Sequence, residues 1–160
     1  MDDFEKFYNK SLRFLSFRPR SEKEVKDNLK RKKAGSLVID KVIIKLKEKK
    51  FINDLEFAKW WVEQRTSFKP RGLRLIKIEL RQKGISQEII EEIISNDEFL
   101  IPNDLEQAGK LVEKRMKRFR NKFGMTREEI YQKLGGVLAR RGFDWETIKQ
   151  AIDEAFAKVV

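Results

Sequence analysis

Arg71, Arg74, Lys77 and Arg81 follow one another at spacings of three, three and four residues. At 100° per residue they share about 120° of helical arc, and Leu73, Ile76 and Leu80 fall on the opposite side. A basic face backed by an apolar one is what a helix needs to lie along nucleic-acid phosphates. For a single helix a solvated charged face is the better account of the pattern. The case is strengthened by recurrence. Arg18, Arg20, Lys30, Arg31, Lys32 and Lys33 crowd one part of the chain, and Lys114, Lys117, Arg118, Arg120 and Lys122 another, with Arg140 and Arg141 beyond them.

Other chemistry is poorly supplied. The 160 residues include neither His nor Cys. Serine-triad and thiol catalysis and ordinary zinc sites each lack a part they need. Glu91–Glu92 and Glu128–Glu129 are sequence neighbours and do not share a helix face. No catalytic residue, metal ligand or cofactor site is therefore expected. Trp60, Trp61 and Trp145 could stack on single-stranded bases, but packing between helices is the preferred reading. The acidic run at Glu88, Glu91, Glu92, Asp97 and Glu98 reads as a solvated face.

The balance of 37 Lys and Arg against 26 Asp and Glu gives a formal charge of +11. Such a chain is attracted to polyanions, nucleic acid first and anionic membrane second. The start, "MDDFEKFYNK", has no apolar targeting core, and no apolar run approaches the roughly 20 residues of a membrane span. A cytoplasmic monomer with no membrane association is expected.

What must position these residues is helical almost throughout. Pro is rare, and apolar residues recur at three and four. Even "LVIDKVIIKL", rich in β-branched residues, places 37, 38, 42, 43 and 46 on one helical face. The helices also repeat. "DLEFAKWWVEQR", 54–65, returns as "DLEQAGKLVEKR", 104–115; "FRPRSEKEVKDNLKRKK", 17–33, aligns with "FKPRGLRLIKIELRQKG", 68–84; and "LRQKGI", 80–85, returns as "LARRGF", 138–143. Fixed periods near fifty residues mean stacked supersecondary units.

The resulting expectation is an all-α fold, an elongated curved array of three tandem three-helix repeats over 1–53, 54–103 and 104–160. The nine helices are placed near 3–16, 20–32 and 37–49; 54–67, 71–83 and 87–95; 104–121, 127–141 and 145–157. Ser21 with Glu24 makes a capping box, and Asn53, Asn103, Thr126 and Asp144 open further helices. Pro70 suits a helix start, and Gly84 and Gly142 suit left-handed stops. "NDEFLIPN", 96–103, reads as a linker. Gly135 and Gly136 suggest a kink or a close helix contact. Phe57, Trp60 and Trp61 of the second repeat correspond to Gln107, Lys110 and Leu111 in the third, and to Lys6, Asn9 and Lys10 in the first. The middle repeat is apolar where the outer two are mostly polar, as expected when the middle one is covered on two sides.

The segments "RPRSEKEV" (18–25), "FINDLEFAKWWVEQR" (51–65), "KPRG" (69–72) with "ELRQKGI" (79–85), and "LARRGFDWETI" (138–148) resemble the RecX family of bacterial regulatory proteins in order and spacing. The resemblance runs through all three repeats. Two positions depart from it: Lys33, where a glycine like Gly84 is expected, and Lys50, before an aromatic where the family has glycine. It implies a protein that binds the filament formed by the RecA recombinase on DNA and restrains its ATPase and strand exchange, in DNA repair and recombination. It supplies no binding map, so the basic residues named above rest on periodicity. A tandem helix-turn-helix DNA-binding protein without a recombinase partner is the alternative. A carboxylate-metal nuclease finds no support in the residues.

Overall fold

A computed structural model of the chain describes residues 2–68, 70–96, 103–120 and 124–158. Lys69, Asp97, Glu98, most of the expected linker, Lys122 and the side chain of Arg120 lie outside that description. The described residues form nine helices and no strand: α1 Asp3–Phe17, α2 Glu22–Arg31, α3 Ser36–Glu48, α4 Asp54–Ser67, α5 Leu73–Gln82, α6 Gln87–Ser95, α7 Asp104–Arg120, α8 Arg127–Arg140 and α9 Trp145–Ala157.

Local chemistry explains their ends. Ser21 and Thr126 accept from the backbone N–H of Glu24 and Glu129, whose side chains reach back to complete two capping boxes. Asn53, Asn103 and Asp144 cap α4, α7 and α9 through single side-chain oxygens. At the other ends one stop occurs four times. The N–H of Ala34, Phe51, Ile85 and Phe143 donates to the carbonyl of Leu29, Leu46, Leu80 and Leu138. The residue before each donor is left-handed: Lys33 at φ 64°, Lys50 at 60°, Gly84 at 79° and Gly142 at 85°. This is the Schellman stop, and all four leucines are buried. The two lysines that depart from the family pattern thus sit in the backbone conformation that favours glycine.

The chain divides into two compact units, residues 1–61 with 79–99 and residues 62–78 with 100–160. In the first, Phe7, Val25, Leu29, Ile39, Val42, Ile43, Leu46 and Ile52 form a core. In the second, Leu111, Val112, Met116, Leu134, Leu138, Phe143, Ile148 and Ile152 do so.

A common joint holds a second helix in each unit. In the first, the Ser21 hydroxyl donates to the Lys83 carbonyl at 2.7 Å, and Asp54 Oδ1 accepts from the N–H of Glu22 at 2.9 Å. In the second, the Gly72 N–H donates to the Arg141 carbonyl at 2.8 Å, and Asp104 Oδ1 accepts from the N–H of Leu73 at 3.0 Å. A Cβ on Gly72 would lie 2.2 Å from the Gly142 carbonyl oxygen, so no other residue fits there. The aspartate opening one repeat therefore caps the second helix of the repeat before it. That gives the doubled "DLE" a structural reason.

Several expectations need correction. α5 begins at Leu73, because residues 70–72 are held by the Gly72–Arg141 bond; Arg71 precedes the helix and Pro70 does not open it. Leu37 is exposed; the buried face of α3 is carried by Ile39, Val42, Ile43 and Leu46. Trp145, expected to pack, is 63 % exposed, since at the first turn of α9 it overhangs the core with Tyr131 6.4 Å away. Trp60 and Trp61 are half-buried, and Phe57 is fully buried. Gln107, read as the polar counterpart of Phe57 in a less covered end repeat, is 1 % exposed, and its amide has no hydrogen-bond partner among the described residues. α8 runs unbroken through Gly135 and Gly136, and a Cβ on Gly135 would make only an ordinary contact with Ile148.

Candidate nucleic-acid interface

The expected basic residues separate into those engaged inside the fold and those facing outward. Arg18 belongs to the first group. Its Nη2 lies 2.9 Å from Glu24 Oε1, its Nη1 donates to the Pro19 carbonyl, and its guanidinium stands 5.8 Å from the Trp60 ring. Lys83 Nζ completes the arrangement, 2.7 Å from the same Glu24 oxygen and 5.2 Å from the Trp61 ring. Arg20 covers the Phe14 ring at 4.0 Å and donates to the Phe14 carbonyl. Burial and then the charge of Arg18 hold its pKa below the ordinary arginine value.

On α5, Arg74 is exposed and Lys77 half-buried, and neither forms an ion pair among the described residues. Arg81 is exposed, with its Nε and Nη2 donating to Gln87 Oε1 at 3.3 Å each. Behind them Ile76 and Leu80 are buried, so the helix is two-faced as its spacing requires.

The strongest concentration of charge lies in the second unit. A cleft of about 670 Å³ is lined by Lys110, Lys114, Arg115, Arg118 and Arg141, with Phe68 and Pro70 at its side. Lys110, Lys114 and Arg118 succeed one another every four residues of α7, one stripe along the helix. Arg141 arrives from the stop after α8. No carboxylate stands among the described lining residues. Burial, and then the charges of Arg71, Arg115 and Arg65, push the Arg141 pKa below its ordinary value. Uncompensated cations in a concave site favour an anion.

Of the expected residues, the cleft gathers Lys114, Arg118 and Arg141, with Arg71 close enough to act on Arg141 electrostatically. Lys117 instead faces a separate groove beside Glu113, Met116 and Lys158. Arg140 is exposed and does not line the cleft. Lys110, Arg115 and Phe68 were missed by periodicity. A signal for one was present: Arg115 repeats Arg65 in the doubled stretch, and both act on Arg141. Among the described residues no group of three or more Asp or Glu is placed to hold a metal ion, and no helix is long and apolar enough to cross a membrane.

Fold and site define an all-α protein of tandem three-helix repeats with outward cations on its helices. Family models describing the first, second and third three-helix domains of RecX match residues 8–46, 53–94 and 103–152. The chain belongs to the RecX family, a family of regulatory proteins. Regulatory protein RecX of Bacillus subtilis (strain 168) is 36% identical over 153 residues, covering 96% of this chain and 56% of that protein. The protein of the same name from Listeria welshimeri is 38% identical over 154 residues, covering 96% and 55%. The chain thus spans about half the length of these curated relatives. The crystal structure of RecX from Lactobacillus salivarius superposes with a TM-score of 0.70 at 30% identity, covering 96% of both chains. A second crystal structure of regulatory protein RecX gives 0.69 at 26%, covering 95% of this chain and 72% of that one.

Proposed function

We propose that this protein binds the RecA recombinase filament on DNA and restrains its ATPase and strand exchange, carrying out no catalysis of its own. Membership of the RecX family is the observation that carries this reading. Outward cations on α5 and α7 supply the means of touching DNA phosphates, while the remaining helix faces are available to recombinase subunits. The working form is a cytoplasmic monomer of three repeats, 1–53, 54–103 and 104–160.

A filament groove presents phosphates and protein walls together. Two modest sites joined on one chain gain from effective concentration, without either being strong alone. Binding to filament should therefore exceed binding to naked DNA or to free recombinase. Co-sedimentation with each of the three, at physiological salt, tests the preference. Adding the protein to preformed filaments should slow ATP hydrolysis and suppress strand exchange. Equal binding to bare DNA, with both activities untouched, would leave a plain DNA-binding protein instead.

A further inference from the structure

Phe68 is 74 % exposed at the side of the α7 cleft. A single exposed ring needs no explanation by itself; what sets Phe68 apart is the cationic cleft that it helps to line. Beside it the cleft offers two kinds of contact. Lys110, Lys114 and Arg118 run along α7 over about 12 Å of helix axis, several times the ~3.4 Å rise of stacked nucleotides. Arg115 and Arg141 line the same cleft. None of these five forms an ion pair among the described residues, and no carboxylate stands among the described lining residues.

A cationic track flanked by an exposed ring is the arrangement that grips single strands, phosphates on the cations and a base stacked on the ring. Duplex DNA cannot use the ring in this way, because its bases are already stacked and only its backbone reaches a concave site of about 670 Å³. We infer that the cleft formed by residues 66–68, Pro70, α7 and Arg141 is a single-stranded nucleic-acid site, with Phe68 as its stacking platform and Lys114 and Arg118 as its phosphate contacts. This deepens the DNA contact of the proposed function and requires no recombinase.

The first repeat contains an internal comparison. Phe17 corresponds to Phe68 in the aligned repeats and is equally exposed at 74 %. The following Arg18, however, is held by Glu24. Phe17 has the ring without the cationic track, so it should not serve as a platform.

The test is fluorescence anisotropy of a short labelled oligothymidylate and of a duplex of the same length, with the protein alone. Phe68→Ala should weaken oligothymidylate binding about 5- to 150-fold, the range of one stacked base, while duplex binding stays within twofold. Phe68→Trp should restore it, and Phe17→Ala should bind as the parent does. Lys114→Ala and Arg118→Ala should each lower the slope of log affinity against log salt by about 0.7. All of these side chains are exposed, and circular dichroism checks that the variants remain folded. Parental oligothymidylate binding by Phe68→Ala overturns the inference, even if that variant loses filament binding, which would make the ring a protein contact. Equal losses with Phe17→Ala, equal losses on duplex, or unchanged salt slopes overturn it too. Each of these outcomes leaves the filament preference to its own experiment.

Discussion

Glu24 carries more of the first unit than any charge-counting of the surface would suggest. Its carboxylate accepts from Arg18 at 2.9 Å and from Lys83 at 2.7 Å, and also closes the capping box with the Ser21 N–H. Burial pushes its pKa up, but the hydrogen bonds and charges of Arg18 and Lys83 outweigh burial, and the group lies below its ordinary value. A carboxyl with a depressed folded pKa contributes stability above its unfolded value, near 4.3. It loses that contribution as pH falls through the folded value. Glu24→Gln keeps the shape and the capping bond and removes the charge. It should cost roughly 1.5–3 kcal/mol at pH 7, the range for hydrogen bonds to charged groups. Chemical denaturation at a series of pH values should show the gap to the parent narrowing once pH falls below the unfolded value and closing as it passes through the lower folded value. A gap unchanged from pH 7 to pH 3 would mean that shape, and not charge, is what Gln fails to supply.

At the scale of elements, the four Schellman stops are the same device built with two glycines and two lysines. An L-residue in the left-handed region is strained by about 1–2 kcal/mol, from which glycine is exempt. Glycine costs some chain entropy in return. Lys33→Gly and Lys50→Gly should therefore each raise stability by about 0.5–1 kcal/mol. Both side chains are exposed and in no ion pair among the described residues, so little is lost with them. Thermal melts of the single and double variants measure this, and a lower melting temperature for either would count against the strain argument. The stops also show what a sequence can and cannot disclose. Helix existence and most boundaries were legible because the three-to-four spacing, the capping residues and Gly84 and Gly142 all act within a few residues. The start of α5 was not. It depends on a bond from Gly72 to Arg141, 69 positions away, for which no local pattern exists. Trp145 failed for another reason: periodicity gives a helix face but not where the helix end passes beyond its core. Gln107 shows that a polar residue in a repeat need not be on the surface. The cleft was half visible. The stripe on α7 could be read from spacing, but its meeting with Phe68 and Arg141 is tertiary.

For the whole molecule the difficulty is that affinity for DNA says little. With a formal charge of +11 the chain is attracted to any polyanion in dilute salt. The charge is unevenly held: 16 basic against 8 acidic residues in 1–53, 8 against 9 in 54–103, and 13 against 9 in 104–160. Arg74, Lys77 and Arg81 thus lie in the one repeat with no net positive charge, where long-range attraction is weakest and a loss of binding is most readily assigned to contact. Reversing all three to Glu should leave the helical spectrum intact, since Ile76 and Leu80 behind them are untouched. If each neutralises a phosphate, the slope of log affinity against log salt should fall by about 0.9 per residue on duplex or 0.7 on single strand. A matched reversal at Lys41, Lys49 and Lys133, exposed residues outside the basic clusters, alters net charge equally. It should weaken binding at low salt through the general field while changing the slope little, because no condensed counterion is released at those positions. The two triple variants separate field from contact at constant charge. Identical slopes in both would assign the α5 face to solvent and leave the α7 cleft as the molecule's phosphate-binding surface.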